Sequence, residues 1–137
     1  MQREGCSRRA FGLRATFSGV ATERLADALS RRLPPEILHG DAETLEARSA
    51  DATEDLRARP ELVVRPRSEE EVRALLAAAR ELKFPVTPQG ALTGLSGGAL
   101  SVEGGVALDL TAMNRILEID RENRFAVVEP GVVTEAL

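Results

Sequence analysis

Residues 68–99, SEEEVRALLAAARELKFPVTPQGALTGLSGGA, place a helix pattern, a strand pattern and a glycine-rich loop in direct succession. Ser68 followed three positions later by Glu71 is a capping box, and Glu69, Glu70 and Glu71 stand where a helix dipole favours negative charge. Behind that cap Val72, Leu75, Leu76, Ala79 and Leu82 form one apolar stripe, which predicts a helix over 69–82. Pro85-Val86-Thr87 then predicts a strand.

Upstream, Leu62-Val63-Val64 is a second β-prone run, closed by Pro66. Two strands joined through a helix over so short a distance make a βαβ unit, which implies parallel strands and a right-handed crossover. Downstream, Val106, Leu108 and Leu110 alternate with Ala107, Asp109 and Thr111, predicting another strand. The runs 116–119 and 125–128 flank a polar turn and predict a hairpin. The fold class is α+β, built round an α/β-like βαβ unit.

The N-terminal part is less regular. Leu25, Leu29 and Leu33, behind Thr22 and ahead of Pro34-Pro35, predict a short helix over 22–33. Residues 39–60 are polar and acidic and read as a connecting segment. Residues 1–21 read as a basic, flexible extension. Within it Ser7-Arg8-Arg9-Ala10-Phe11-Gly12-Leu13 resembles a twin-arginine export signal, but the apolar stretch that should follow is short, partly polar and ended by Glu23 and Arg24. A cytoplasmic location is the expectation. The organisation is therefore an extension (1–21), a helix with its connector (22–59) and an incomplete first subdomain (60–137). Thr134 would cap a helix with only three residues remaining, so a fragment of a larger protein is expected.

Composition narrows the function. A net charge of -4 gives no basic field for nucleic acid, and with four Phe, no Tyr and no Trp there is little to stack on bases. No run approaches the length of a membrane helix. The single cysteine, Cys6, excludes an internal disulfide and a cysteine-rich metal site, fits a reducing compartment and reads as an inert terminal thiol.

In α/β units ligands bind beyond the carboxyl ends of the strands, where residues 88–99 must lie. Glycines there remove Cβ atoms that would keep backbone N–H groups from a phosphate, and Thr93 and Ser96 can add hydroxyl donors. Gly90, Gly94, Gly97 and Gly98 fit neither the G-x-G-x-x-G nor the P-loop spacing. No Lys or Arg occurs from Phe84 to Asn114, so a phosphate would be held by neutral dipoles. Spacing alone leaves two readings open, an anion cradle or a bare surface loop.

Taken together, PELVVRPRSEEEVRALLAAARELKFPVTPQGALTGLSGGAL (60–100) and GGVALDLTAMNRILEIDRENRFAVVEPGV (104–132) resemble the N-terminal part of the PCMH-type FAD-binding domain of FAD-linked oxidases. That is the vanillyl-alcohol oxidase superfamily, and the likeness is nearest to its glycolate oxidase FAD subunit and D-lactate dehydrogenase branch. The resemblance implies FAD as cofactor, its pyrophosphate touched by Pro88, Gln89, Gly90, Ala91, Leu92, Thr93 and Gly94. Gly97 and Gly98 would shape the turn, and Pro130 and Gly131 would come close to the cofactor. It also implies a full-length parent that oxidises a 2-hydroxy acid of the glycolate or D-lactate type, with other oxidase subunits as partners. No catalytic residue of that reaction and no metal ligand is expected in this stretch.

Two positions depart from the family pattern. Gln89 stands where Arg or Gln occurs, and Leu92 stands where Gly or Asn is usual. If the backbone at Leu92 has positive φ, the leucine adds roughly 1 to 2 kcal/mol of strain. The only histidine, His39, lies far upstream of the loop, so FAD would be non-covalent and His39 is expected in a loop or capping role. Asp109 invites a ribose-binding role, but as the polar residue of an alternating strand it is expected to be structural. Two alternatives stay open: a different FAD enzyme of similar fold, or a non-catalytic remnant.

Overall fold

The computed structural model describes residues 19–53 and 56–137, with helix α1 (Gly19–Ser30), strand β1 (Leu38–His39), helix α2 (Ala42–Ala47), strand β2 (Leu62–Val64), helix α3 (Glu69–Leu82) and strands β3 (Val86–Gln89), β4 (Val106–Asp109), β5 (Ile116–Asp120) and β6 (Phe125–Val128). The basic extension and Cys6 lie outside the described residues.

Four strands form one sheet in the order β1-β2-β4-β3. β2 and β3 both run parallel to β4, and β1 is antiparallel to β2. The βαβ expectation therefore holds with one modification: β4 is inserted between the two strands that α3 connects. β5 and β6 pair antiparallel as a separate two-stranded sheet, with a register irregularity between Ile116 and Glu118.

Helix α3 matches its expected span. Ser68 Oγ accepts from the Glu71 N–H at 3.3 Å, the first half of the predicted box, while Glu71 Oε2 reaches back one residue past the cap to accept from the Arg67 N–H at 2.6 Å. Lys83, at φ 60, closes the helix in the left-handed conformation. The buried stripe is rotated from the predicted one, because Leu75, Ala78 and Ala79 are buried while Leu76 and Leu82 are exposed. The two alanines let the helix approach the sheet closely, which leaves the larger leucines on its flanks.

The sheet is covered on both faces. Leu29, Leu33, Ile37, Leu62, Val64, Leu75, Ala78, Val106 and Leu108 form one core; Leu45, Val63 and Ala107 form a second. Alternate residues of β2 and β4 thus enter different cores, and all positions of both strands are buried. The alternation expected to separate core from solvent in β4 separates core from core. Truncating the fully buried Leu75 to Ala should cost about 2 to 5 kcal/mol.

Elsewhere the expected boundaries shift. α1 begins before Thr22 and ends at Ser30, short of the expected 33, where the chain turns with the Arg32 and Leu33 N–H groups both donating to Leu29 O. The connector 39–60 contains β1 and α2, the latter capped by Asp41, whose side chain accepts from the Thr44 N–H. The predicted strand 106–111 ends at Asp109 and passes into a short 3-10 turn. On the hairpin, Ile116, Leu117, Ile119, Phe125 and Val127 remain exposed.

Candidate cofactor site

Gln89 ends β3, and the glycine-rich loop leaves the sheet there. Gln89 is buried, and its Nε2 donates to Arg48 O at 3.1 Å and Ala99 O at 2.7 Å, tying the two ends of the loop together. Its Oε1 is buried with no partner among the described residues. Three more contacts fix the loop from below and a fourth closes it on itself. Arg48 Nη1 donates to Gly90 O (2.9 Å), the Ala52 N–H to Leu92 O (3.0 Å), the Gly97 N–H to Thr53 Oγ1 (2.9 Å) and the Leu100 N–H to Gly97 O (3.1 Å). Segment 48–53, read from sequence as part of a connector, is the floor of this loop.

Among the described residues, that floor binds the carbonyl groups of Gly90 and Leu92 and, of the loop amides, that of Gly97. Among the described residues, the N–H groups of residues 90–96 donate to none. A Cβ added at Gly90 or Gly94 would meet nothing within 4 Å, so both glycines border open space. Unpaired donors facing such space are what a polyanion requires, and a pyrophosphate fits this loop. Thr93 and Ser96 are exposed on the same stretch.

The other glycines have different reasons. Gly97 has φ +70, and a Cβ there would come within 3.2 Å of Leu56. Gly98 has no neighbour closer than Ser96 Oγ at 3.9 Å. Leu92 has φ 60, so the strain anticipated for a leucine at this position is present, and Leu92 is half-buried. Pro88 and Ala91 are exposed. Pro130 is also exposed, whereas Gly131 packs against the turn after β4: a Cβ there would lie 2.4 Å from Leu110 O and 2.8 Å from Met113 O. The packing of Gly131 is explained without a ligand, and no hydrogen bond among described residues joins 130–131 to the loop.

Charge reaches the site from outside the loop. Asp109, wholly buried at the end of β4, accepts from Arg65 Nε and is ion-paired with Arg48 Nη2, both through Oδ2 at 2.6 Å. Its Oδ1 accepts from the Thr111 N–H (3.1 Å) and hydroxyl (2.7 Å). Burial is the largest single influence on this carboxyl and opposes ionisation. Thr111, Arg65 and Arg48 together outweigh it, and the pKa lies below the ordinary value. Burial pushes the Arg48 guanidinium down, while Asp109 counteracts and Arg65 adds to the effect. The structural role expected for Asp109 agrees with this geometry.

Arg48 and Arg65, with Glu43, Thr44, Ala47, Ala91 and Leu92, line a cleft of about 400 Å³. The loop itself carries no basic residue, as read from sequence; Arg48 and Arg65 add charge beside it. The signal for Arg65 was its position after β2, at a carboxyl end; no sequence signal marked Arg48. His39 lies in β1, opposite Val63. No cluster of three or more His, Cys, Asp or Glu among the described residues could hold a metal.

Residues 60–137 match the FAD binding domain family, and the chain belongs to that family. Its cofactor is FAD. The chain is 49% identical over 81 residues to a D-lactate dehydrogenase of Anaerostipes hadrus, covering 59% of this chain and 17% of that protein. It is 45% identical over 106 residues to the glycolate oxidase subunit GlcD of Escherichia coli K12, covering 77% of this chain and 21% of that one. Among solved structures, 4-ethylphenol oxidase from Gulosibacter chungangensis superposes with a TM-score of 0.69 at 27% identity, over 86% of this chain and 24% of that one. The chain thus spans about a fifth of the length of these relatives.

Proposed function

We propose that this chain is the pyrophosphate-binding part of an FAD-dependent oxidoreductase whose full-length form oxidises a 2-hydroxy acid of the glycolate or D-lactate type. The observation that carries the binding role is the row of unpartnered N–H groups at residues 90–96 beside the open faces of Gly90 and Gly94. In this reading Pro88, Gln89, Gly90, Ala91, Leu92, Thr93 and Gly94 contact the cofactor, Gly97 and Gly98 shape the turn, and Pro130 and Gly131 approach it. When bound, FAD supplies a two-electron acceptor; this chain's residues hold its anionic centre and orient it.

The substrate class rests on the names of the relatives, a D-lactate dehydrogenase and a glycolate oxidase subunit. The second of those is named as a subunit, which supports partner subunits here too. No described helix is long and apolar enough to cross a membrane. A cytoplasmic site of action rests on the lone cysteine and the interrupted N-terminal apolar stretch.

The test is direct. Full-length protein is gel-filtered, its flavin absorbance measured, and glycolate or D-lactate added without oxygen. Retained flavin that bleaches with either acid is expected. Flavin that stays oxidised with both removes the substrate class, and a colourless protein that takes up no added FAD removes the binding role.

One observation favours a second reading, a remnant that no longer binds flavin: Leu92 occupies a left-handed backbone position in the loop itself. Flavin retained by Leu92→Gly and not by the natural sequence would select it.

A further inference from the structure

Arg65 follows β2, and its N–H donates to Ile37 O at 2.9 Å, which fixes the backbone. Its Nε donates to Asp109 Oδ2 at 2.6 Å, which fixes the guanidinium. The two terminal nitrogens, Nη1 and Nη2, have no partner among the described residues, and the side chain is 39% exposed. Arg48 is different, because its Nη1 is committed to Gly90 O and its Nη2 to Asp109.

Arg65 therefore presents two free donors to the cleft that also contains Ala91 and Leu92 of the loop. Asp109, wholly buried, pairs with both guanidiniums and offsets one of their two positive charges. Two guanidiniums against one carboxylate leave one formal positive charge, which Glu43 in the same lining balances in the formal sum. Glu43 stands exposed at the rim, where solvent and salt screen it.

From this geometry we infer that Arg65 is a further cofactor ligand, a side-chain donor to the pyrophosphate of FAD, with Asp109 and Arg48 as its positioning residues. The inference rests on the binding role proposed for the loop. A planar guanidinium fork matches phosphate oxygens with two donors. Because Nε is already held, little rotamer freedom is lost when the anion arrives. The anion is then bound by loop amides on one side and by a cation on the other, and its affinity acquires a dependence on salt that a purely neutral cradle would lack.

The experiment is titration calorimetry on full-length protein freed of flavin, using FAD and riboflavin, which has the same ring system and no phosphate. Wild type, Arg65→Met and Arg65→Lys are compared at low and high salt, each with its thermal midpoint. Losing a charge-assisted bond predicts FAD binding weakened about tenfold or more in Arg65→Met. The salt dependence should shrink with riboflavin affinity unchanged, while the thermal midpoint falls because the buried Asp109 loses one of its two guanidinium partners. Lysine cannot hold Asp109 and offer a fork together, so Arg65→Lys should bind FAD several-fold more weakly than wild type.

Wild-type FAD affinity in either variant overturns the inference, as does equal weakening of FAD and riboflavin, which a merely structural residue would produce. If Arg65→Met does not fold, Arg65→Lys decides alone. Wild type that binds no FAD overturns the loop's binding role and this inference with it, whereas unchanged FAD binding in the variants overturns only the second.

Discussion

Arg48 Nη2 and Asp109 Oδ2 lie 2.6 Å apart, joining the end of α2 to the end of the central strand beneath the glycine-rich loop. The contact is shielded on both sides, with Arg48 13% exposed and Asp109 not at all. Breaking a buried pair from one side leaves an uncompensated charge, which typically costs about 3 to 5 kcal/mol. Asp109→Asn should therefore lower the urea unfolding free energy by about 3 kcal/mol or more. A change within about 0.5 kcal/mol would show that the charge is solvated in solution. The exposed pair Arg32 and Glu81, at 2.7 Å, is the contrast: Glu81→Gln should leave the urea midpoint nearly where it was.

The acid limb of stability has a definite sign. Asp109 has its folded-state pKa below the ordinary value despite burial, and Glu129 is held low by the Arg115 side chain and N–H. Groups depressed on folding stabilise the fold above their unfolded pKa of about 4, and that contribution is lost as pH falls through it toward the folded value. The thermal midpoint should be flat above about pH 5 and fall below about pH 4. Circular dichroism melts across that range would refute this by showing a midpoint that rises on acidification.

Glycines of two kinds give opposite outcomes. Gly90→Ala and Gly94→Ala place a methyl into open space, so the melting temperature should stay within a few degrees while FAD binding weakens. Gly105→Ala would set Cβ 2.3 Å from Pro85 O at φ +70. Strain and overpacking there should cost about 2 kcal/mol or more, with flavin lost only as a consequence of unfolding. Differential scanning fluorimetry with and without FAD separates the two effects.

Leu92→Gly removes a left-handed leucine, which costs roughly 1 to 2 kcal/mol, and adds glycine's backbone entropy of about 0.5 to 1 kcal/mol. The net expected is a gain of about 0.5 kcal/mol in unfolding free energy, with tighter FAD binding because the side chain that lines the cleft is gone. Weaker FAD binding in this variant would mean that the leucine contributes a contact to the flavin.

The parts legible in the sequence are those with local causes. Helix α3 could be delimited because Ser68, Glu71 and the apolar stripe act within one turn of each other. The glycine loop could be placed because β3 runs directly into it. Leu92 could be flagged because the family pattern and backbone sterics concern the same residue. What escaped is long-range. Nothing near Arg48 or Arg65 reveals that both converge on Asp109, and the acidic connector gave no period from which to see that residues 48–53 would underlie the loop. The rotation of the α3 stripe onto Ala78 and Ala79 follows from how close the helix lies to the sheet, which its own spacing does not encode.

The strand order β1-β2-β4-β3 makes β4, an inner strand, the last of the four to be synthesised. During translation β1 and β2 can pair as soon as both have emerged, but β3 has no neighbour until residues 106–109 leave the ribosome. Until then the inner edge of β2 is an unpaired template, open to any passing extended chain. A nascent polypeptide paused within the glycine-rich stretch would be held in that vulnerable state.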